Sequence, residues 1–199
     1  MRVISGEFKG RPLKAPKGND TRPTTDRVKE SLMSSLTSIM GGFEGLYVLD
    51  AFAGSGGLGI EALSRGAAYC QFFDRDRLAA AAIQANLEML NIPRSKATVR
   101  QSDVFKTPVG AAKPFDLVFL DPPYAIDGDI VVSFVVSLAA SGRLSSNAVV
   151  VYEHDSSHDL EAVLQKHANA DFELTIVKSK RQGACAIDII EAHASVTEG

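Results

Sequence analysis

The sequence predicts an α/β fold with a mostly parallel seven-stranded sheet, an antiparallel C-terminal edge hairpin and a small N-terminal β-hairpin. From residue 46 onward, short apolar runs alternate with helical stretches, an order typical of a parallel sheet covered by helices. The last two strand candidates are separated only by residues 178–183, and so short a link favours an antiparallel hairpin. Near the start, two extended segments flank Gly6, which predicts the small hairpin.

The predicted elements follow the spacing of apolar residues. Thr25 can cap a first helix, and Gly41 and Gly42 end it. The strand candidates span residues 46–50, 69–74, 98–100, 116–121, 148–153, 172–177 and 184–191. The later helices are expected over residues 57–65, 77–90, 130–140 and 159–167.

Length and composition indicate a globular protein. The chain has 199 residues, 45% of them hydrophobic, and a mean hydropathy of +0.03. We expect an N-terminal β-hairpin arm over residues 1–20 and one larger domain over residues 21–199. No apolar run reaches the ~20 residues that span a bilayer, and no secretory signal or disulfide framework is visible. We therefore expect a cytoplasmic monomer with no membrane partner and no metal.

Charge is unevenly distributed along the chain. The net charge is −3, whereas residues 1–30 hold eight Lys or Arg against four acids. A basic arm on an acidic body suits local contact with a polyanion such as RNA. A solvated basic terminus explains the same count equally well.

The sequence AFAGSGGLGIEAL follows the first strand of the alternating region, and its glycines 54, 56 and 59 match GxGxxG. Nicotinamide-dependent oxidoreductases also carry this motif, but there the first glycine directly follows the strand. Here residues 50–53 intervene and begin with a carboxylate, which suits a ligand with a cationic end and no phosphate, such as S-adenosylmethionine. The residues expected to bind this cofactor in the loop are Asp50, Phe52, Ala53, Gly54 and Gly56.

Two further acids follow strand ends. Asp74 ends the second strand, about the ~20 residues past the loop at which a ribose-binding acid is expected. Asp103 follows the third strand and can accept a hydrogen bond from an adenine amino group. Helix capping is the alternative role for both, and Asp76 is the better candidate for a cap.

The segment FLDPPY, residues 119–124, ends the fourth strand with an acid, two prolines and an aromatic ring. The prolines stiffen the chain and stop the sheet ladder. An exocyclic amine becomes a better nucleophile when acceptors hold its N–H bonds so that its lone pair points at the methyl donor. We expect Asp121 and the Pro122 carbonyl to do this, while Tyr124 stacks on the base.

Four segments, RVISGEFKGRPL, RPTTDRVKESL, LDAFAGSGGLGIEALSRGA and DPPY, resemble the RsmD family of guanine-N2 methyltransferases of small-subunit (16S) ribosomal RNA. The resemblance implies a Rossmann-like class I methyltransferase fold, S-adenosyl-L-methionine as cofactor, and ribosomal RNA or an assembling small subunit as partner. It also implies that the arm and the RPTT segment face RNA, with Arg22, Thr24 and Arg27 contacting the substrate. Asp74 stands where the family leads us to expect Glu.

Other functions fit parts of the pattern. DPPY also suits an amino-methyltransferase acting on adenine or cytosine in DNA, or on a protein glutamine. A non-catalytic RNA-binding assembly protein could retain a vestigial cofactor site. His154, His158, His167 and His193 show no ligand spacing, so surface or capping roles are expected for them. Glu153 ends a strand at the same sheet edge and has no predicted role.

Overall fold

The computed structural model describes residues 1–16, 26–168 and 172–194. The chain divides into two compact units, Met1–Thr107 and Pro108–Gly199. Within the described ranges, seven strands form one mixed, mostly parallel sheet accompanied by five helices. The predicted α/β class is therefore confirmed. The predicted boundary at residue 20 falls outside these ranges, and the division of the chain there stays a prediction.

The first unit holds three strands in the order β3-β2-β1, all parallel. Adjacent Phe72 and Phe73 are both fully buried, which shows that both faces of β2 are covered. The elements of this unit are α1 (Asp26–Met40), β1 (Tyr47–Asp50), α2 (Gly57–Ser64), β2 (Tyr69–Asp74), α3 (Arg77–Met89) and β3 (Ala97–Gln101).

Helix α2 packs closely on β2 because Gly59 has no side chain. A Cβ atom at Gly59 would overlap the Phe72 ring and lie 2.6 Å from the Cys70 Sγ. The third glycine of the loop is thus needed for packing of the helix on the sheet.

The N-terminal segment folds back on itself. The Val3 N–H donates to the Arg11 carbonyl at 3.0 Å, and the Gly10 N–H donates to the Val3 carbonyl at 2.9 Å. The predicted hairpin is present as an antiparallel turn, with one bridge between Arg2 and Pro12 instead of a regular ladder. Proline has no N–H with which to extend such a ladder.

The second unit holds four strands in the order β4-β5-β7-β6. Strands β4 and β5 are parallel, whereas β7 is antiparallel to both β5 and β6. The elements of this unit are β4 (Phe115–Leu120), α4 (Gly128–Ala140), β5 (Leu144–Asp155), α5 (Leu160–Lys166), β6 (Phe172–Gln182) and β7 (Cys185–Ala194).

The antiparallel C-terminal edge hairpin is confirmed, but its turn lies later than predicted. Residues 178–183 were expected to form the link, whereas β6 continues to Gln182 and the turn falls at Gly183 and Ala184. Polar side chains are frequent on edge strands such as β6, so the polar run was not a turn signal.

Candidate functional site

Asp50 is the last residue of β1, and its side chain is hydrogen-bonded to the glycine loop that follows. Its side chain is buried, and its Oδ2 accepts a hydrogen bond from the Gly59 N–H at 3.0 Å. Burial raises the pKa of Asp50 to about 7, against the opposing effect of the Gly59 hydrogen bond. The carboxyl group therefore titrates near neutrality, and its predicted contact with the cofactor stays a prediction.

Asp74 ties the glycine loop to the turn that follows β2. Its Oδ2 accepts from the Gly54 N–H at 2.9 Å, and its Oδ1 accepts from the Asp76 N–H at 2.8 Å. Burial raises the pKa of Asp74, and both hydrogen bonds lower it. Each carboxylate oxygen has two lone pairs, so these bonds leave acceptor capacity for a ligand hydroxyl. Asp76 caps α3 by accepting from the Leu78 N–H, as predicted.

The first two loop glycines have different surroundings. A Cβ atom at Gly54, where φ is 53°, would meet nothing within 4 Å. A Cβ at Gly56, where φ is 78°, would lie 3.2 Å from Ile60 and 3.4 Å from Ile83. Gly54 therefore borders open space suited to a ligand, whereas Gly56 faces apolar side chains and provides the positive φ.

Two aromatic rings and an acid lie near the ends of β1 and β3. The ring centroids of Phe52 and Phe105 are 5.6 Å apart. Asp103 accepts from the Phe105 N–H at 3.0 Å, and its Oδ2 lies 3.8 Å from the Lys106 Nζ. Residues 104–106 form a turn and no helix begins there, so the helix-capping alternative is wrong for Asp103, and its contact with adenine stays a prediction. Sequence reasoning did not identify Phe105, although it follows Asp103 closely in QSDVF.

Asn86 is a second residue that sequence reasoning missed. This fully buried side chain donates to the carbonyls of Ser55 and Lys14, both at 3.0 Å, and accepts from the Lys14 N–H at 2.8 Å. The N-terminal segment is thereby fixed to the glycine loop. The available signal was an asparagine within the alanine-rich sequence of α3.

Lys29 was counted with the basic arm, but it is buried. Its Nζ lies 3.3 Å from the Glu61 Oε2 and donates to the Arg2 carbonyl at 2.6 Å. Burial lowers the pKa of Lys29, while Glu61 raises it. Glu61 also accepts from the N–H groups of Ile4 and Ser5, at 2.8 and 3.0 Å. Lys29 thus holds the arm in place and is unavailable to RNA.

Apart from Lys29, the cations that the structure describes among residues 1–30 lie at the surface. Lys9, Lys14 and Arg27 are exposed, and Arg2 forms an exposed ion pair with Asp26 at 2.9 Å. Arg22 and Thr24, predicted to contact substrate, and Thr25, the predicted cap of the first helix, lie outside the described residues. Arg27 stays a predicted substrate contact.

The DPPY segment follows the last residue of β4. Asp121 is exposed, Pro122 is buried, and Tyr124 exposes 56% of its surface. Leu120 lies opposite Tyr152 in parallel register; Asp121 follows the end of β4, and Glu153 is the next residue of β5. The structure thus brings the predicted Asp121 and the unassigned Glu153 to one sheet edge of the second unit.

Tyr124 is connected to Glu153 through Cys185. The Cys185 Sγ donates to the Glu153 Oε1 at 3.2 Å, and the Tyr124 hydroxyl is hydrogen-bonded to Cys185. Burial of the hydroxyl end raises the pKa of Tyr124 to about 12, although most of its surface is exposed. Burial and the bond to Glu153 raise the pKa of Cys185 to about 11. Both groups are protonated at neutral pH and can act as donors.

The histidine prediction is wrong for His154. This side chain is buried, with its Nε2 at 2.7 Å from the Asp188 Oδ2, because β5 is paired with strands on both sides. His167 occupies the C-cap of α5, as expected.

In the part of the chain that the structure describes, no group of three His, Cys, Asp or Glu side chains is arranged to hold a metal ion. In the same ranges, no helix has the length and apolar character needed to cross a membrane.

Comparisons with known proteins cover most of the chain. Residues 1–191 match the family model described as Conserved hypothetical protein 95. The Bacillus subtilis protein YlbH is 43% identical over 80% of this chain and 85% of its own. Ribosomal RNA small subunit methyltransferase D of Escherichia coli is 32% identical over 82% of this chain and 79% of its own.

The fold also matches a solved structure that is named as a methyltransferase. The Escherichia coli protein yhhF matches with a TM-score of 0.78 and 30% identity, covering 98% of this chain and 99% of that chain. The predicted class I methyltransferase fold and the predicted family are both confirmed. The chain therefore belongs to the family described as Conserved hypothetical protein 95, the RsmD family.

Proposed function

We propose that this protein is an S-adenosylmethionine-dependent enzyme that methylates the exocyclic N2 amine of a guanine in small-subunit ribosomal RNA. The observation that carries the proposal is that one chain has both a glycine loop held by hydrogen bonds to acidic side chains and an exposed DPPY segment. Relatives of the chain that are named ribosomal RNA small subunit methyltransferase D support the choice of substrate.

The glycine loop and its surroundings fit the proposed cofactor. Asp74 has acceptor capacity for ribose hydroxyls, and Gly54 borders open space. Phe52 offers an apolar surface for the adenine ring, with Asp103 as an acceptor for its amino group. Asp50 provides negative charge for the cationic amino acid end. When bound, the cofactor supplies an electrophilic methyl group on a sulfonium.

The DPPY segment fits the methyl acceptor. The Asp121 carboxylate and the Pro122 carbonyl accept hydrogen bonds from the guanine N2 amine and so direct its lone pair at the methyl carbon. Asp121 would hold one N–H in place while the nitrogen takes the methyl group, S-adenosylhomocysteine would be the neutral product, and the proton lost by the nitrogen would pass to water. Tyr124 stacks on the base, which must first be turned out of the RNA at a cost of a few kcal/mol.

The exposed cations near the N-terminus fit an RNA backbone. Lys9, Lys14 and Arg27 are exposed in the structure, and Arg22 and Thr24 are included on the basis of the sequence. Contacts of this kind position RNA through its phosphates, while the base is read elsewhere. The proposed partner is ribosomal RNA or an assembling small subunit.

A methyl-transfer assay tests this function. Purified protein is incubated with methyl-labelled S-adenosylmethionine and small-subunit RNA or particles from a strain that lacks the gene, and the labelled nucleoside is identified. We expect label in N2-methylguanosine. Label in DNA, in protein glutamine or in another nucleoside would show a different amino-methyltransferase, and cofactor binding without transfer would favour an assembly protein.

A further inference from the structure

We propose that Glu153 accepts a hydrogen bond from the guanine N1–H, next to Asp121 on the N2 amine, and thereby selects guanine over other bases that carry an amine. This inference rests on the function proposed above and names the residue that determines its specificity.

The strand register places the two acids side by side. Leu120, the last residue of β4, pairs with Tyr152 in the parallel strand β5, and paired strands lie about 4.8 Å apart. Asp121 directly follows Leu120, and Glu153 is the next residue of β5 after Tyr152. Cys185 donates to the Glu153 carboxylate and is also hydrogen-bonded to the Tyr124 hydroxyl, so Glu153 lies beside Tyr124. Both carboxylates also contribute to raising the pKa of Tyr124, so both lie close to that ring. The exposed ring of Tyr124 therefore has two neighbouring acceptors.

Two adjacent acceptors match the edge of guanine. Guanine presents its N1–H and its N2 amine side by side, and all of these are donors. In adenine and cytosine the exocyclic amine lies beside an unprotonated ring nitrogen, whose lone pair would face the second carboxylate. An acceptor that a bound base shields from water without offering it a donor is costly, and such mismatches give specificity. Stacking on Tyr124 cannot make this choice because every base has a π-face.

Cys185 fixes the position of the Glu153 carboxylate. Asp155 lies opposite Cys185 and Glu153 lies opposite Ile187, so Cys185 is the diagonal neighbour of Glu153 across the antiparallel pair. Its thiol donates to the Glu153 Oε1 at 3.2 Å. A carboxylate has about four acceptor positions, so this bond leaves capacity for the base. Cys185 is therefore a positioning residue, and Glu153 is the residue that contacts the base.

The test uses a target base without the N1 proton. The methylated guanine is first located with the wild-type protein and is then replaced by 2,6-diaminopurine, which keeps the 2-amine but has an unprotonated N1. Wild-type protein should prefer guanine by roughly 10²-fold in kcat/KM, since a site built to hydrogen-bond a group rejects the analogue that lacks it. Glu153→Gln should reduce this preference at least tenfold or reverse it, because the glutamine N–H can donate to N1 of diaminopurine.

Matched variants control for indirect effects. Glu173→Gln makes the same chemical change on exposed β6 and should keep the wild-type preference. Cys185→Ala should lower the guanine preference by a smaller factor, and Cys185→Ser, which keeps a donor, should restore it. Unchanged binding of S-adenosylhomocysteine confirms that each variant is folded.

The outcomes separate this inference from the proposed function. An unchanged preference in Glu153→Gln would overturn the role of Glu153 even if guanine is methylated. Failure of the wild-type protein to methylate any guanine would instead overturn the proposed function.

Discussion

The glycine loop of the first unit and the DPPY edge of the second unit are built differently. In the glycine loop the acids are already engaged: Asp50 accepts from Gly59, and Asp74 accepts from Gly54 and Asp76. At the DPPY edge, Tyr124 exposes 56% of its surface. Hydrogen bonds within the protein fix the conformation of the glycine loop, whereas the DPPY edge exposes an aromatic ring to solvent.

This difference matches the two kinds of ligand that we propose. A small cofactor is bound efficiently by a loop whose conformation is already fixed, because little ordering remains to be done on binding. A base turned out of a large RNA needs an accessible aromatic surface, and stacking of that base on the exposed Tyr124 ring is favourable. Loop variants should therefore affect cofactor affinity, and edge variants should affect transfer or RNA binding.

The largest expected effect is that of Asp121→Ala. Loss of the acceptor should leave both ligands bound but slow single-turnover methyl transfer by roughly 10²-fold or more, because the amine is no longer oriented. Asp121→Asn is the matched variant: it keeps an acceptor oxygen and should retain appreciable activity if Asp121 only orients the amine. Wild-type rates in Asp121→Ala would remove DPPY from the mechanism.

Gly54→Asn should lower cofactor affinity at least tenfold, measured by calorimetry with S-adenosylhomocysteine. The new side chain enters the open space beside the loop, and asparagine tolerates a φ of 53° better than most residues. The matched control is Gly142→Asn, where φ is 65° and space is also open, after the end of α4. Equal affinities in the two variants would move the cofactor away from Gly54.

Tyr124→Ala should weaken productive RNA binding by ~1–3 kcal/mol, the value of one base stacked on an aromatic ring. Tyr124→Phe keeps the ring and loses the hydrogen bond to Cys185, so it should bind RNA nearly as well as the wild type. The measurement is RNA affinity at one fixed salt concentration, with cofactor affinity as the internal reference. RNA binding by the alanine variant at wild-type strength would contradict stacking.

The smallest expected effect is the pH dependence that Asp50 gives to stability. Burial raises the pKa of Asp50 in the folded protein to about 7, against ~3.9 in the unfolded chain. The contribution of the buried, protonated carboxyl to the free energy of unfolding is therefore fully present below the unfolded pKa and is lost as pH rises through 7. The side chain of the Asp50→Asn variant cannot ionise. Between pH 5 and pH 8 the free energy of unfolding of the wild type should therefore fall by about 1 kcal/mol or more relative to that of the variant. Urea unfolding at several pH values measures this difference, and parallel curves would contradict it.

The fold and several strand-end residues could be predicted from the sequence because their signals are local. Alternating apolar runs predicted the strands and helices, and β2 was predicted with its observed bounds. Asp50 and Asp74 end strands as predicted, and Asp121 follows one directly. Proline and glycine restrict or free the backbone at their own positions, so DPPY and the glycine loop are readable without knowing their neighbours.

Only the tertiary structure decided what these residues contact. In the sequence Lys29 resembles the other cations near the N-terminus, but in the structure it is buried beside Glu61. Gly54 and Gly56 look alike in sequence, but only the first borders open space. Cys185 and Glu153 meet because β5 and β7 pair in one register out of several possible, and that register is set by the whole sheet. Local periodicity fixes which residues form an element, whereas contacts between distant residues depend on how those elements pack.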